Sequence, residues 1–305
     1  MRIAVLGEGM LELARPGAGG QGWQLGFGGD TLNTAVHLAR FGIPTSYVSA
    51  LGNDPFSADL RRDWAAEGLD TRHILTDPER LPGLYAIRTD SEGERTFFYW
   101  RSASAARHLF TLPGIDEALH HMAGADLLYL SLITLAVIPD QAREQVYDLC
   151  HQVRHNGGRV AFDSNYRPRL WDSIENARAA VGRMANLCDI ALPTASDDAM
   201  LFGISEPAQI AAHWHRLGAK EVAVKLGKEG CLLSHAGKQR CIPAMAGIQP
   251  LDTSGAGDAF NAGYLQARMR GQDRASAAYH GHSLAAWVIT CNGALPPRSA
   301  RAPYT

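Results

Sequence analysis

An alternation of short apolar runs with longer helical stretches is the feature that most constrains how this chain can fold. Each apolar run ends at glycines or polar residues, as buried strands commonly do. A helix between two strands returns the chain to the same end of the sheet, so that neighbouring strands become parallel. The sequence therefore predicts an α/β fold with a mostly parallel central sheet. The predicted strands are residues 3–7, 45–51, 126–131, 159–163, 190–193 and 221–226, and the predicted helices are residues 30–41, 57–67, 139–155, 257–270 and 275–290.

Two segments depart from this alternation and are predicted to form β-hairpins. Residues 84–90 and 95–101 are strand-like, and residues 91–93 between them are typical of a turn. Residues 11–14 and 21–27 predict a second, smaller hairpin. Two hairpins outside a parallel sheet suit a lid over an active site, and the alternative is an ordinary extension of the sheet edge. Side chains alternate between the two faces of a strand, which places on one face of the longer hairpin Arg95, Phe97, Tyr99 and Arg101.

The composition excludes several classes of protein. The chain has 305 residues, 46% hydrophobic and 20% charged, as expected for a globular enzyme with one large domain or two small ones. Its net charge of −2 provides no broad basic surface for a nucleic acid. No apolar run approaches the ~20 residues that span a membrane, and residues 1–7 are predicted to be a strand rather than a signal peptide.

The cysteines and histidines indicate neither a disulfide framework nor a metal centre. The five cysteines are widely spaced with no CxxC pair, so free thiols in a reducing cytoplasm are expected. The twelve histidines lack HExxH spacing and are expected on surfaces or helix faces. The cysteines are Cys150, Cys188, Cys231, Cys241 and Cys291.

Residues 252–260, with the sequence DTSGAGDAF, form the strongest functional motif. Glycines at a strand-to-helix turn leave backbone N–H groups without helical partners, and the helix dipole makes their common target favourable for an anion. Gly255, Ala256 and Gly257 allow a close approach to that backbone, and Asp258 is placed to accept a proton from an attacking hydroxyl. A short glycine turn with one acid would be common, whereas the nine-residue run is much more specific.

A second Gly-Gly turn enters a helix near the start of the chain, at residues 28–35 with the sequence GGDTLNTA. Asp30 and Asn33 present polar groups close to the helix start, and glycine lets a substrate lie against the backbone. Taken alone, the motif is more typical of an N-capped helix than of a substrate site, since Asp30 is a good N-cap.

Together and in this order, the two motifs resemble the two signatures of the ribokinase-like, or PfkB, family of carbohydrate kinases. The resemblance covers essentially the whole chain. It implies a three-layer fold in a single kinase domain, residues 1–305, with a small β lid at about residues 11–27 and 83–101. Four further segments resemble the acid-sugar kinases of that family, namely residues 27–34, 81–85, 93–101 and 165–171.

The resemblance also implies the ligands and the assembly. It implies ATP with Mg²⁺ as phosphoryl donor, a small sugar acid as acceptor, and a location in the cytoplasm. Because lids of this family often pair between subunits, it implies a dimer or larger homo-oligomer. Some members require a monovalent cation, so that the resemblance leaves such a requirement open here.

The roles of individual residues follow from the resemblance by motif. Asp258 matches the catalytic base, and Gly255, Ala256 and Gly257 match the anion hole. The implied substrate contacts are Gly29, Asn33, Tyr85, Tyr99, Arg101 and Arg167. The implied ATP contacts are Asn165, Arg167, Lys225, Gly227, Gly230, Ser254, Gly255, Gly257 and, as the weakest match, His282.

The two arginines suit an acid substrate, because a guanidinium pairs with a carboxylate through two parallel hydrogen bonds. Arg101 shares a strand face with Tyr99, so both side chains can reach one ligand. The alternative for Arg101 is a solvated charge on the lid. Arg167 follows a predicted strand at the edge where α/β folds bind ligands. It is left open whether Arg167 serves the carboxylate or the phosphates, or pairs with Asp163 or Asp172.

The chain departs from the family at the NxxE motif that helps to organise the magnesium shell. Thr194 stands where the family has asparagine, and Asp197 stands where it has glutamate. A carboxylate can still hold a metal-bound water. A role of Asp197 in the metal shell therefore remains one alternative, and helix capping by Thr194 or Ser196 is the other.

Three rival functions are compatible with parts of this pattern. Another kinase of the family would act on fructose, ribose or a nucleoside, which leaves the lid arginine without an obvious use. A non-catalytic sugar or nucleotide sensor would not need Asp258. A dinucleotide-dependent dehydrogenase would need a complete GxGxxG turn, whereas residues 7–9 supply only its first half.

Overall fold

The structure is a computed structural model that describes residues 1–15, 22–89 and 95–304. The strands in these ranges are β1 Ile3–Leu6, β2 Met10–Ala14, β3 Gln24–Gly28, β4 Thr45–Gly52, β5 Ile74–Asp77, β6 Leu84–Thr89, β7 Arg95–Trp100, β8 Leu127–Ser131, β9 Arg159–Asp163, β10 Ile190–Ala191, β11 Glu221–Lys225, β12 Cys231–His235 and β13 Lys238–Ile242. The α-helices are α1 Asp30–Arg40, α2 Pro55–Ala66, α3 Ile115–Ala123, α4 Leu132–Val137, α5 Asp140–His155, α6 Ile174–Leu187, α7 Ala195–Phe202, α8 Pro207–Leu217, α9 Ala256–Met269 and α10 Arg274–Ile289. Short 3₁₀ helices span Ala105–Thr111, Pro168–Leu170 and Gly227–Glu229.

The large sheet has nine strands in the order β13-β12-β11-β10-β9-β8-β1-β4-β5. Its strands from β11 to β5 run parallel, and β12 and β13 add an antiparallel edge. The predicted, mostly parallel α/β fold is confirmed. All parallel strands end at one edge, which is where such folds place their ligands.

Apolar side chains on both faces of the large sheet build two separate cores. In β1, Ala4 and Leu6 pack into one core, whereas Ile3 and Val5 pack into the other. Helices α5, α6 and α8 cover the first face, and helices α1, α9 and α10 cover the second. A strand that is buried on both faces reads as a continuous apolar run, which explains the Ile-Ala-Val-Leu sequence of β1.

Four strands form a second, smaller sheet in the order β3-β2-β6-β7. The antiparallel pairs predicted at both hairpins are confirmed, and β2 and β6 join them in parallel. The predicted turn at residues 91–93 lies outside the described residues. The alternative of an edge extension is wrong, because these strands pair with one another and form a sheet of their own.

Several elements were not predicted, or were predicted with other bounds. Helix α2 begins at Pro55 rather than residue 57, because Asp54 caps it by accepting a hydrogen bond from the Ser57 N–H. The strand predicted at residues 190–193 is only two residues long. Among the described elements, β5, β12, β13, α3, α4, α6, α7 and α8 had no counterpart in the prediction.

The cysteines are free, as predicted. Cys150, Cys188 and Cys231 are buried, Cys241 is exposed and Cys291 is half-buried. Burial raises the pKa of the Cys150 thiol to about 12, so this side chain packs as a small apolar group. Among the helices of residues 1–15, 22–89 and 95–304, none combines the length and the hydropathy required to cross a membrane.

Candidate active site

A cavity of about 740 Å³ lies between the inner face of the small sheet and the carboxyl ends of the parallel strands. We call the four-stranded sheet β3-β2-β6-β7 the lid, and the ends of β9 and β11 with the starts of α1 and α9 the floor. The lid faces the cavity with the four side chains predicted for one face of the hairpin, Arg95, Phe97, Tyr99 and Arg101. Most of the predicted site residues therefore meet in one place.

The DTSGAGDAF motif forms the start of α9, as its glycines predict. Gly255 is the N-cap and adopts a left-handed conformation with φ of 70°. A Cβ atom on Gly255 would lie 2.5 Å from the Cβ of Ala294, so that both the backbone angle and the packing require glycine. The free N–H groups of the first helical turn adjoin the cavity, which makes this turn a site for an anion.

Asp258 lies in the first turn of α9 and lines the cavity. Its Oδ2 accepts a hydrogen bond of 2.8 Å from Asn33 Nδ2. Burial raises the pKa of the Asp258 carboxyl to about 7, the nearby carboxylate of Asp30 adds to the rise, and the Asn33 hydrogen bond opposes it. A carboxyl with a pKa near neutrality suits a general base at physiological pH.

The Gly28-Gly29 turn leads into α1, whose start forms part of the floor. Gly29 has φ of 154°, and a Cβ atom there would lie 2.4 Å from the Glu8 carbonyl oxygen. The N-cap of α1 is Gly29, so the expectation that Asp30 would cap this helix is wrong. Instead, the Asp30 carboxylate accepts hydrogen bonds from the Ser131 hydroxyl and from Asn165 Nδ2, and it thereby orients Asn165 at the cavity.

The lid residues are held by two acids that the sequence analysis missed. Tyr85 donates its hydroxyl hydrogen bond to Glu12. Arg101 is 8% exposed and pairs with the buried Glu8, with Nε 2.7 Å from Oε2. The alternative of Arg101 as a solvated charge is therefore wrong. Glu8 is the middle residue of the Gly7-Glu8-Gly9 segment that was compared with a GxGxxG turn. Nothing local in the sequence indicates its partner, which is 93 residues away.

Lys225 occupies the floor at the end of β11. Its Nζ lies 2.7 Å from Asp163 Oδ2 and 3.2 Å from Asn261 Oδ1, and the side chain is almost fully buried. A Cβ atom on Gly257 would lie 3.8 Å from this ammonium group, so Lys225 is next to the anion-binding turn. Asp163, which lines the cavity, and Asn261 were not predicted as site residues, and both fix the position of Lys225.

Asn165 and Arg167 follow β9 and line the cavity, as predicted. Arg167 pairs with Asp197 rather than with Asp163 or Asp172, the two partners considered from the sequence. Arg167 Nη1 lies 3.6 Å from Asp197 Oδ1, at a half-exposed position. Asp197 also accepts a hydrogen bond from the Tyr166 N–H. Thr194 is the N-cap of α7 but makes no side-chain capping bond, so the capping alternative gains no support from Thr194.

Three of the predicted ATP contacts do not line this cavity. Gly227 begins the 3₁₀ turn after β11, and Gly230 follows its last residue. His282 lies on α10, is 6% exposed and packs against the ring of Phe260 with 5.0 Å between ring centroids. Their contacts with a nucleotide remain predictions.

A second, more open groove of about 960 Å³ lies apart from these residues. His120, His151 and Lys220 line it, and none of the predicted site residues does so. Lys220 is paired with Asp189 at 2.7 Å. The described ranges also contain no cluster of three or more His, Cys, Asp or Glu side chains arranged to hold a metal ion.

The cavity combines an anion-binding helix start, a carboxyl of near-neutral pKa and a lid with an arginine, an arrangement that suits a phosphotransferase of the α/β class. A model of the family described as pfkB family carbohydrate kinase matches residues 2–301. The chain belongs to this family.

Similar proteins agree with this assignment. A 2-dehydro-3-deoxygluconokinase from Escherichia coli K12 is 43% identical over 306 residues, which cover 98% of both chains. The crystal structure of a PfkB protein from Polaromonas sp. JS666 matches with a TM-score of 0.83 and 27% identity, over 94% of this chain and 95% of that one. Aminoimidazole riboside kinase from Salmonella enterica, complexed with aminoimidazole riboside and an ATP analogue, matches with a TM-score of 0.82 and 24% identity, over 96% and 95%.

Proposed function

We propose that this protein transfers the γ-phosphoryl group of ATP to the terminal hydroxyl of 2-dehydro-3-deoxy-D-gluconate (KDG), giving the 6-phosphate and ADP. The observation that carries the proposal is that one cavity is lined both by Asp258, from helix α9 of the floor, and by Arg101, which follows lid strand β7. A base on the floor suits the hydroxyl end of a small sugar acid, and an arginine on the lid suits its carboxylate end. The name of the Escherichia coli relative supports the same substrate.

In this mechanism the sugar hydroxyl faces Asp258. Asp258 accepts the hydroxyl proton while the O6–phosphorus bond forms and the bond between the γ-phosphorus and ADP breaks. The N–H groups from Gly255 to Asp258 stabilise the charge that develops on the transferring phosphoryl group. Lys225 adds a fixed positive charge beside the same turn. Gly29 and Asn33 line the cavity at the start of α1 and contact the sugar from that side.

The carboxylate of the sugar is held at the lid by Arg101 and Tyr99. Nε and Nη2 of Arg101 are directed at Glu8, and the guanidinium also lines the cavity. Its Cζ lies 5.9 Å from the centre of the Tyr99 ring, so that both side chains can reach one ligand. Arg167 is assigned to the phosphates or to the carboxylate, and the more exposed position of Arg167 suits either role.

The residues at the cavity fit a magnesium ion that is held mainly by phosphates and water. Asp197 lines the cavity with a carboxylate whose Oδ1 makes only a long contact with Arg167, and this oxygen suits a metal-bound water. When bound with ATP, Mg²⁺ neutralises charge on the transferring phosphates. A potassium titration in the activity assay tests whether the protein also needs a monovalent cation.

We further propose a homodimer or larger assembly through the outer face of the lid. The strand register places Leu25, Leu13, Ala86 and Phe98 in one row across this face. Leu25, Phe98 and the neighbouring Trp100 are 53%, 47% and 61% exposed. Exposed apolar groups of this size suit a protein partner. Light scattering of the protein and of Phe98→Glu tests the assembly.

The free buried thiols suit a reducing compartment, and we propose the cytoplasm.

The test of function is a coupled ADP-release assay with Mg-ATP and a panel of KDG, D-fructose, D-ribose, D-gluconate and adenosine. We expect strong turnover with KDG and a product phosphorylated at O6, identified by phosphorus NMR. If only a neutral sugar is turned over, the protein is a kinase but KDG is not its substrate. An absence of turnover with every compound would favour the sensor alternative.

A further inference from the structure

Asp252 opens the DTSGAGDAF motif, but the catalytic scheme gives it no role. Its side chain is 1% exposed. It accepts hydrogen bonds from the Ser254 N–H at 2.9 Å and from the Gly293 N–H at 2.5 Å. A carboxylate buried to this extent needs a positive partner, because an unpaired buried charge is strongly destabilising.

Arg95, at the start of lid strand β7, is that partner. Its Nη1 forms an ion pair with Asp252 Oδ1 and donates a hydrogen bond of 2.9 Å to the Ser254 hydroxyl. Arg95 therefore joins the lid to the turn that precedes the anion hole. At the other end of the same lid face, Arg101 is paired with Glu8. The inner face of β7 is thus attached to the body of the protein at both ends.

Asp252 also fixes the opposite side of the anion-binding turn. Asp252 accepts a hydrogen bond from the N–H of Gly293, and Gly293 is next to Ala294 in the chain. Ala294 packs directly on Gly255, where there is no room for a Cβ atom. A change at Asp252 therefore reaches the anion hole from two directions, through Ser254 and through Ala294.

We propose that Arg95 is a positioning residue that couples docking of the lid to the geometry of the anion hole. With the lid docked, Asp252 has its cation, and the turn at Ser254 and Gly255 is held for phosphoryl transfer. With the lid lifted, Asp252 keeps a buried charge without that partner, and the turn loses a contact to Ser254. The catalytic turn is then fully ordered only under a docked lid. This inference rests on the proposed kinase activity.

The kinetic test compares Arg95→Met with Arg88→Met, since Arg88 is an exposed arginine on the adjacent lid strand. We expect Arg95→Met to lower kcat roughly 10- to 100-fold, the usual cost of a displaced catalytic group, with little change in KM for ATP. Arg95→Lys is expected to recover part of kcat. Equal kcat values for Arg95→Met and Arg88→Met would overturn the inference.

A double-mutant cycle tests whether Arg95 acts through Asp252. If the two form one unit, Arg95→Met combined with Asp252→Asn lowers kcat little further than the more severe single variant. Losses that multiply would show independent roles and overturn the coupling.

Hydrogen exchange provides a readout that needs no turnover. We expect Arg95→Met, but not Arg88→Met, to speed amide exchange both in β7 and in residues 253–258. Faster exchange confined to β7 would overturn the coupling. If the wild-type protein phosphorylates none of the sugars, the proposed function fails, and this exchange result still decides the link between lid and turn.

Discussion

Asp258 on the floor and the two arginines of the lid have their charges stabilised in opposite ways. On the floor, burial disfavours a negative charge on Asp258, the nearby carboxyl of Asp30 adds to this effect, and the pKa of Asp258 rises to about 7. At the lid, Arg95 and Arg101 each meet a buried carboxylate. A buried carboxyl beside a like charge titrates closer to neutrality and can exchange a proton there, whereas opposite pairs fix geometry. The floor is therefore suited to chemistry, and the lid to attachment and recognition.

Removing the floor carboxyl gives the largest expected effect. Asp258→Asn should lower kcat by roughly 10²–10⁴-fold, the usual contribution of a positioned base. It should also raise the melting temperature at pH 8, because the raised pKa of Asp258 makes its ionisation unfavourable in the folded state. At pH 5 the wild-type carboxyl is protonated, so that the gain should be smaller. Turnover close to that of the wild type would contradict the role of Asp258.

Breaking a lid pair should act on stability. Glu8→Ala leaves Arg101 as a buried cation without its partner, and removal of one partner of a buried pair costs about 3–5 kcal/mol of unfolding free energy. Glu144→Ala is the matched control, because its pair with Arg183 is exposed to solvent and should contribute little to the unfolding free energy. Chemical denaturation measures both values. Similar losses for the two variants would remove the distinction between lid attachment and a surface ion pair.

The pH dependence of kcat/KM tests the role of Asp258 through a smaller effect than the substitutions above. General-base catalysis requires the ionised carboxyl, so kcat/KM should fall as the pH drops below about 7, the pKa of Asp258. Asn33→Leu removes the hydrogen bond that favours the ionised form. The acidic limb of its pH profile should therefore shift to higher pH. If the acidic limb of the profile is at the same pH in Asn33→Leu as in the wild type, the group that titrates is not Asp258.

The fold and the floor were predictable from the sequence because their signals are local. The alternation of apolar runs predicted the parallel strands, and the nine residues from 252 to 260 were enough to predict the helix start with Asp258 in its first turn. Strand β13 was missed since four of its five residues are exposed, which leaves no apolar run to detect. Helix α6 was missed although Ser173 supplies an ordinary N-cap signal.

The charge pairs at the lid were not predictable, because they join distant parts of the chain. The partners Arg95 and Asp252 lie 157 residues apart, and Glu8 and Arg101 lie 93 residues apart. Alternation along β7 predicted which residues face inward, but nothing in it indicates which acid each arginine meets. Only the packing of the lid on the large sheet brings these partners together.

The central claim is that the floor performs the chemistry while Arg101 selects an acid substrate. Its most direct test measures kcat/KM for KDG and for 3-deoxy-D-fructose, in which a hydroxymethyl group replaces the carboxylate. The double variant Arg101→Met with Glu8→Gln leaves no unpaired buried charge, and Glu8→Gln alone is the control. We predict that the double variant loses about 10- to 100-fold with KDG, as for a lost hydrogen bond to a charged group, and little with the neutral sugar. Equal losses with both sugars would contradict the claim.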